Sequence, residues 1–468
     1  MAPEGQQQQG DKAGGVPPWL VPFLVPALGG ALFGYDIGGS SSVVRILGEG
    51  TSSLGNLDPI TLGYVASGSL FGALVASAGL LVVGDRNIGR KQELVAGALC
   101  YGAGTALQGL GATLPLVLAG RVLYGLGIGV SMHAGPLYIG EAAPNNLRGQ
   151  LVSLKEAAIV VGIIGGYAAG AVFGGSGDWN SVYLAALPFE LLMLGGAALA
   201  IPESPRWLAL RGRPDEAEEA LQQGQGLTEA ECEKEVRSMV EAAGTSGQQT
   251  SLEVMGKLFQ GVANQRALTA GLGLVLFQQL SGQPSVLYYA NRIFDKAGLG
   301  FEAAVGVGVF KAVMTLVSVG LVENPNWGRR QLLIVGTSGM ALSLAALAAV
   351  FSGGADSANQ SAIIAAVVAY VGCYQIGFGP ITWLILSEIF PLSIRSAALS
   401  LATLTNFGSN LLVTLTFEAE RVALGESLLF GQFALIALAA VAFEVSKVPE
   451  TQGLSLEEIE AQLMKDED

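Results

Sequence analysis

Long apolar stretches alternate with short polar ones along almost the whole chain, and each stretch has the length of a membrane-spanning helix. The apolar runs lie near residues 19–41, 60–84, 92–114, 116–140, 150–174, 181–201, 266–291, 301–322, 331–351, 361–387, 396–417 and 425–448. A helix needs about 20 apolar residues to cross the hydrocarbon layer of a bilayer. The pattern therefore predicts an all-α membrane protein with twelve transmembrane helices. Gly379 and Pro380 permit a bend inside the tenth run.

Polar motifs at one set of helix ends recur in the second half of the chain. The offset is about 240 residues each time: Gly89-Arg90-Lys91 returns as Gly328-Arg329-Arg330, Glu141, Pro144 and Arg148 return as Glu388, Pro391 and Arg395, and Pro202-Glu203 returns as Pro449-Glu450. Repetition in the same order indicates two parallel repeats of six helices, as in carriers whose substrate path lies between the repeats.

The distribution of basic residues predicts which side each segment faces. Basic residues cluster after the even-numbered runs, so both termini are expected in the cytosol. The chain then divides into a cytosolic tail over 1–18, a six-helix bundle over 19–201, a cytosolic helical linker over 202–265, a second six-helix bundle over 266–448 and a cytosolic tail over 449–468. The linker holds too few apolar residues to form a separate binding domain.

Composition excludes several classes of protein. Hydrophobic residues make up 51% of the chain and charged residues 13%, whereas soluble domains carry about 25% charged residues. The net charge of −14 comes largely from loops and the C-terminal tail, so no nucleic-acid partner is expected. The three cysteines lack metal-ligand spacing. No nucleophile–base set or phosphate-binding glycine loop indicates an enzyme or a cofactor, and we expect a functional monomer within the lipid bilayer.

Longer motifs resemble the sugar porter family of the major facilitator superfamily. They are FGYDIGG (33–39), GDRNIGRK (84–91), GRVLYGLGIGV (120–130), EAAPNNLRG (141–149), PESPRW (202–207), FQQLSGQPSVLYYA (277–290), GFGPITWLILSEIFP (377–391) and PETQG (449–453). Plant and algal vacuolar or plastidic carriers, among them xylose/proton symporter-like glucose carriers, are the most similar subfamily. The resemblance implies a proton-coupled hexose or pentose symporter that works by alternating access. Its expected place is the vacuolar or plasma membrane, with the plastid envelope less favoured.

Two ionisable residues inside predicted spans indicate proton coupling. Asp36 lies near the outer end of the first span and Arg121 near the outer end of the fourth, so the two are expected to pair. Arginine keeps a buried carboxylate ionised, whereas protonation frees the arginine and the helices that carry the pair. The resemblance implies that Asp36 accepts the proton, since proton-coupled members carry Asp here. A purely structural ion pair is the alternative.

The second half supplies groups suited to a sugar. Sugars are neutral polyols, so amides and an aromatic ring are the expected ligands. The resemblance assigns sugar contact, or the shaping of the cavity, to Gln278, Gln279, Trp383, Asn406 and Asn410. Pro284 replaces the usual asparagine of the family, and Gln283 is a candidate to take over its hydrogen bond. Amides that bond helix to helix are the alternative.

Two charged residues depart from the family pattern. Glu156 stands where the family usually has a sugar-binding glutamine, and Lys311 where many members have a sugar-binding asparagine. Because the fifth and eighth spans face each other in this fold, we hypothesise that Glu156 and Lys311 pair and line the cavity. The pair would bind sugar, gate the two halves, or do both. Lys155 is expected to point toward the cytosolic interface.

The resemblance also predicts a cytoplasmic gate of charged residues. Its members are Asp85, Arg86, Arg90, Glu141 and Arg148 in the first half and Glu323, Arg329, Arg330, Glu388 and Arg395 in the second, with Glu203, Arg206 and Glu450 beside them. In the family such clusters bridge the bundles in the outward-open state and separate in the inward-open state. Positive charge that only sets the topology does not explain why the acids recur as well.

Some polar residues and functions stay open. His133 is interpreted as a packed polar residue rather than a proton relay, and Glu190 has no assigned role. A facilitative sugar uniporter is the first alternative function. A non-transporting sugar sensor is a remote one, because such sensors usually need long cytoplasmic tails.

Overall fold

The computed structural model describes residues 17–49, 52, 54–55, 57–83, 88–144, 147–245, 256–296, 298, 300–322, 324, 326–353, 359–391, 394–454 and 456–464. Every regular element in these ranges is a helix. We call the helix ends predicted to face the cytosol the inner ends, and the opposite ends the outer ends.

The first half consists of five long helices and one interrupted one. They are α1 (Leu20–Gly48), α2 (Pro59–Val83), α3 (Arg90–Leu110), α4 (Leu114–Ala142), α5 (Arg148–Phe173), and α6 (Trp179–Leu184) with α7 (Leu187–Gly195), which continues into a π-helical turn at Gly196–Ala200. Side-chain caps begin two of them. Asp58 accepts the amides of Ile60 and Thr61 ahead of α2, and Asp178 accepts that of Ser181.

Three short helices follow the first half. They are α8 (Pro205–Leu210), α9 (Pro214–Gln225) and α10 (Glu229–Thr245). Leu208, Leu221 and Val236 form a small apolar core between them. The core is confined to one layer of side chains, which fits a linker better than an independent domain.

The second half repeats the arrangement with more breaks. Its helices are α11 (Val262–Leu280), α12 (Gln283–Tyr288), α13 (Ala290–Lys296), α14 (Glu302–Val322), α15 (Arg329–Phe351), α16 (Gln360–Ile376), α17 (Phe378–Ile389), α18 (Arg395–Lys447) and α19 (Leu456–Met464). Gly282, with φ +89°, ends the first helix of the predicted seventh span. The tenth span breaks at Gly377, two residues before the expected bend.

The described residues between the last two predicted spans, 418–424, are helical and do not form the predicted loop. The 53 residues of α18 form two helices that meet at Gly425, whose φ of 76° and ψ of 163° are not helical. A left-handed φ of this kind favours glycine, because other residues carry a Cβ that clashes. One residue therefore separates two arms, each of span length.

Nine stretches within the described ranges are long and apolar enough to cross a membrane. One of them holds both arms of α18. The remaining predicted spans correspond to α3, whose first turns carry charge, and to α11 with α12. Each of the twelve apolar runs thus contains helix, while the number of membrane crossings stays a prediction.

Two kinds of contact organise the bundles. Within the first half, α1 packs closely on α5, and α4 packs on both α2 and α3. Between the halves, α2 packs along α18 and α5 along α14. Polar bonds between the halves join outer segments, from Asn291 to Ser42 over 2.9 Å and from Arg45 to Asp295 over 2.6 Å, so this conformation is closed on the outer side.

Candidate functional site

Asp36 and Arg121 meet in the first half. The Arg121 guanidinium forms an ion pair with Asp36 through Nη1, and Nη2 lies 3.3 Å from the second carboxylate oxygen. Both side chains are almost completely buried between α1 and α4. A two-point contact of this kind fixes the orientation of both groups, and burial strengthens it.

The remaining donors of Arg121 bind α2. Its Nε donates to the Val65 carbonyl over 2.8 Å, and Nη2 donates to the Ala66 carbonyl over 3.1 Å and to the Ser69 hydroxyl over 2.8 Å. Ser69 in turn donates to Asp36 over 2.6 Å. The pair therefore holds α1, α2 and α4 together, and neutralising the carboxylate would remove the ion pair between α1 and α4 and weaken the bond from Ser69 of α2.

Lys311 lies in the second half, beside a small pocket lined by residues of α12, α14 and α16. Its ammonium group donates to the side-chain amide oxygen of Gln375 and lies 5.0 Å from the centre of the Tyr374 ring. The side-chain NH₂ group of Gln375 in turn donates to the Thr315 hydroxyl over 2.7 Å. Gln283 and Tyr370 complete the polar lining. Hydroxyl, amide and ammonium groups over aromatic rings suit a polyol ligand.

The predicted Glu156–Lys311 ion pair is wrong for this conformation. Glu156 forms an ion pair with its neighbour Lys155 over 3.1 Å and is about half exposed, while Lys311 is buried against Gln375. Lys155 is itself buried, contrary to the expectation that it reaches the interface. Glu156 has a cation one residue away, whereas the Lys311 ammonium group donates to Gln375 of α16 in its own half.

The two adjacent glutamines of α11 are buried near the same pocket. Gln278 donates to the Phe378 carbonyl over 2.8 Å, at the break between α16 and α17, and Gln279 donates to Gln278 over 3.2 Å. The Oε1 atom of Gln279 is buried and has no hydrogen-bond partner among the described residues. A buried amide oxygen without a partner can accept a hydrogen bond from a ligand hydroxyl.

Three other candidate sugar residues lie on neighbouring helices. Trp383 of α17 and Asn406 of α18 are partly exposed. Asn410 is buried and accepts a hydrogen bond from Thr414 on its own helix. The contacts of the described residues thus join Gln278, Gln279 and Lys311 to α16 or α17, but they do not join Asn410 to this group.

At the inner ends of the first half, a charge cluster surrounds Glu141. Arg90 Nε lies 3.5 Å from its carboxylate, and the Ser204 hydroxyl donates to it over 2.6 Å. Glu203 accepts the backbone amide of Lys91 over 2.9 Å, at the beginning of α3. A carboxylate at a helix N-terminus is stabilised by the helix dipole.

The second half repeats this cluster. Arg329 forms an ion pair with Glu388, and Glu450 accepts the backbone amides of Arg329 and Arg330 over 2.9 and 3.2 Å. Arg395 donates to the Phe390 carbonyl over 3.0 Å. Each of these bonds stays within one half. Asp85, Arg86 and Glu323, and the Arg148 side chain, lie outside the described residues.

The two polar residues without an assigned role have clear partners. His133 Nδ1 lies 2.7 Å from a carboxylate oxygen of Glu93 on α3. Glu190 accepts a hydrogen bond from Thr105 over 2.6 Å and is buried. Glu444 of the second half makes the same kind of bond with Thr337, over 2.7 Å. These contacts tie α3 to α4 and α7, and α15 to α18.

Comparison with known sequences shows the family of this chain. The model of the family described as "Sugar (and other) transporter" matches residues 23–463. The D-xylose-proton symporter-like 3, chloroplastic, of Arabidopsis thaliana is 44% identical, over 95% of this chain and 82% of the relative. The chain belongs to the sugar transporter family. The carrier is also similar to the galactose-proton symporter of Escherichia coli (strain K12), with 31% identity over 96% of the carrier and 94% of the relative.

A solved structure shows the same fold. The partially occluded inward-open xylose transporter XylE of E. coli superposes with a TM-score of 0.79 and 26% identity, over 93% of the carrier and 99% of XylE. The carrier therefore has the all-α major facilitator fold, and it is a multi-pass membrane transporter rather than an enzyme. An inward-open neighbour also agrees with the closed outer side.

Sequence reasoning missed several residues of the site. Gln375 is an amide inside an apolar run, and polar residues at that depth are functional candidates, so the signal was present. Ser69 gave no such signal, because serine is common where membrane helices pack. Only the geometry shows that Ser69 binds both Asp36 and Arg121.

Proposed function

We propose that the carrier is a proton-coupled monosaccharide symporter that works by alternating access, with Asp36 as proton acceptor and Arg121 as its partner. The observation that carries the proposal is the buried ion pair, which spans three helices through Ser69 and the α2 carbonyls. A proton that neutralises Asp36 removes its ion pair with Arg121 and so loosens the tie between α1 and α4. The names of the relatives, which are proton symporters, support the same assignment.

The sugar is proposed to bind between the halves, against the second one. Gln278, Gln279, Gln283, Trp383, Asn406 and Asn410 are its proposed ligands, together with Lys311 and Glu156 from opposite halves. The open amide oxygen of Gln279 and the ammonium group of Lys311 provide one acceptor and one donor. Since the relatives carry xylose or galactose in their names, we propose a pentose or hexose.

Uptake into proteoliposomes tests this function. Labelled xylose, glucose and galactose are offered with and without an imposed proton gradient, and a protonophore is added as a control. A symporter accumulates at least one of them above the outside concentration only when the gradient is present. Equal uptake with and without the gradient would favour the facilitative uniporter.

The finer location and assembly are also proposals. We propose that both termini face the cytosol, that a monomer is sufficient, and that the carrier resides in the vacuolar or plasma membrane. The chloroplastic label of the Arabidopsis relative favours the plastid envelope instead. Imaging of a carrier fused at its C-terminus to a fluorescent protein separates these locations.

A further inference from the structure

Lys311 is a buried cation whose partners in the second half are neutral. Its ammonium group donates to the side-chain oxygen of Gln375 and lies 5.0 Å from the centre of the Tyr374 ring. No carboxylate among the residues that the structure describes forms an ion pair with it. Lysine is rarely buried to this degree unless its charge is paired. The position therefore suits a ligand that brings a negative charge.

Arg121 and Lys155, which also lie deep in the spans, differ from Lys311 in having carboxylate partners. Arg121 pairs with Asp36, and Lys155 pairs with Glu156 over 3.1 Å. The charges cancel within each pair, so Glu156 is not an ion-pair partner of Lys311 in this conformation. Lys311 thus leaves one unpaired positive charge among the proposed sugar ligands.

The neutral partners of Lys311 compensate its charge only in part. An amide oxygen and an aromatic face both attract an ammonium group, but an ion buried without a counter-ion remains costly. A neutral sugar would add hydroxyl contacts and no charge. A ligand carboxylate would instead form a charge-assisted hydrogen bond, which is about twice as strong as a neutral one. The site should therefore prefer an anionic ligand to a neutral polyol of the same shape.

We propose that the substrate is a sugar acid, a monosaccharide that carries one carboxylate, and that this carboxylate binds the Lys311 ammonium group. Gln283 lines the pocket beside Lys311, and its amide can donate to the second carboxylate oxygen. The hydroxyl groups of the ligand remain for Gln279, whose buried Oε1 has no partner among the described residues. The inference rests on the symport function proposed above and narrows its substrate class.

One unpaired cation fits a ligand with a single negative charge. A sugar phosphate carries about two negative charges at pH 7, whereas Lys311 supplies one positive charge. A hexuronate carries one negative charge, because a carboxyl group is ionised at neutral pH. It also balances the proton that Asp36 is proposed to accept, since one anion and one proton cross the membrane together without net charge. A neutral sugar that crosses with one proton moves a positive charge instead.

Binding to the purified carrier tests the proposal without a proton gradient. Isothermal titration compares glucuronate with glucuronamide, which has nearly the same shape but no charge, and with glucose. We expect the wild-type carrier to bind glucuronate about tenfold more tightly than either neutral ligand. The preference should disappear in Lys311→Gln, which keeps a donor but loses the charge. Lys311→Arg should retain part of the preference because the charge remains.

Control measurements make the result specific to Lys311. Lys234→Gln removes one positive charge from an exposed position on the linker and should leave the preference unchanged. Lys311→Met replaces Lys311→Gln if the latter does not fold. In proteoliposomes, an inside-negative membrane potential without a pH gradient should drive the uptake of labelled glucose but not that of labelled glucuronate.

Three results would overturn the proposal. They are equal affinities of the wild-type carrier for glucuronate and glucuronamide, a full preference for glucuronate in Lys311→Gln, and uptake of glucuronate driven by the membrane potential alone. Failure of glucuronate to bind would leave proton-coupled transport of neutral sugars in place. A carrier that moves no sugar with protons would refute the proposed function and leave the binding result standing.

Discussion

At the scale of single residues, the geometry of Arg121 explains how α1, α2 and α4 are held together. Its guanidinium uses Nε, Nη1 and Nη2 to reach α1 and α2 at once. A lysine has the same charge but a single nitrogen with three donors, which cannot reproduce a planar fork. The site therefore depends on the shape of arginine as well as on its charge.

The variant Arg121→Lys tests this dependence. We expect proton-driven sugar uptake to fall more than about tenfold, because at least one charge-assisted hydrogen bond worth about 1.5–3 kcal/mol is lost. Arg237→Lys, in an exposed pair with Glu233 on the linker, is the matched control and should transport normally. Normal uptake by Arg121→Lys would show that charge alone suffices.

Lys311 leads to a second prediction at this scale. In Lys311→Met the cavity keeps its volume but loses its ammonium donor, so the KM for sugar should rise by about tenfold. The maximal rate should change less, since the variant leaves the Asp36–Arg121 pair intact. Initial rates over a range of sugar concentrations measure both constants, with Lys234→Met on the linker as the control. An unchanged KM would remove Lys311 from the sugar site.

At the scale of elements, glycines let α1 and α5 approach each other. A Cβ at Gly162 would lie far inside contact distance of the Ala31 carbonyl, and one at Gly38 would clash with the Ile163 carbonyl. Small residues at such crossings allow backbones in membranes to pack closely. Asp36 and Glu156 lie on these two helices, so their packing brings the proposed proton acceptor close to a proposed sugar ligand.

The variant Gly162→Ala should therefore destabilise the carrier. Overpacking costs about 1–3 kcal/mol, and we expect a Tm lower by several degrees in a thermal assay followed by size-exclusion chromatography. Gly165→Ala is the control on the same helix, where the added Cβ would lie 3.6 Å from Tyr35 Cδ2, an ordinary contact. An equal fall in both variants would argue against a specific α1–α5 contact.

At the scale of the whole molecule, the sequence predicted the architecture better than the site. Apolar runs of span length and the repeated inner motifs are local patterns, so the all-α class and the two related halves follow from them. Asp36 and Arg121 could also be assigned to one depth, because the directions of α1 and α4 follow from the span order. The depth of a residue in the membrane follows directly from its position along a spanning helix.

Lateral partners could not be predicted in the same way. Glu156 and Lys311 lie on facing helices, yet Glu156 binds Lys155 and Lys311 binds Gln375. Which neighbour a side chain chooses depends on helix rotation and on the conformation of the carrier, and neither is encoded in spacing. The break at Gly377 was hard to place for a related reason, since Gly372 and Gly379 lie close to it in the sequence.

Proton-driven accumulation by Asp36→Asn tests whether Asp36 couples sugar transport to the proton. The variant is reconstituted into proteoliposomes. Sugar uptake is then compared under an imposed proton gradient and in counterflow, which needs no proton gradient. The account predicts that wild-type carrier accumulates sugar against its gradient, whereas Asp36→Asn retains counterflow but only equilibrates sugar. Undiminished uphill accumulation by Asp36→Asn would contradict the account, because the proton would then have to be carried elsewhere.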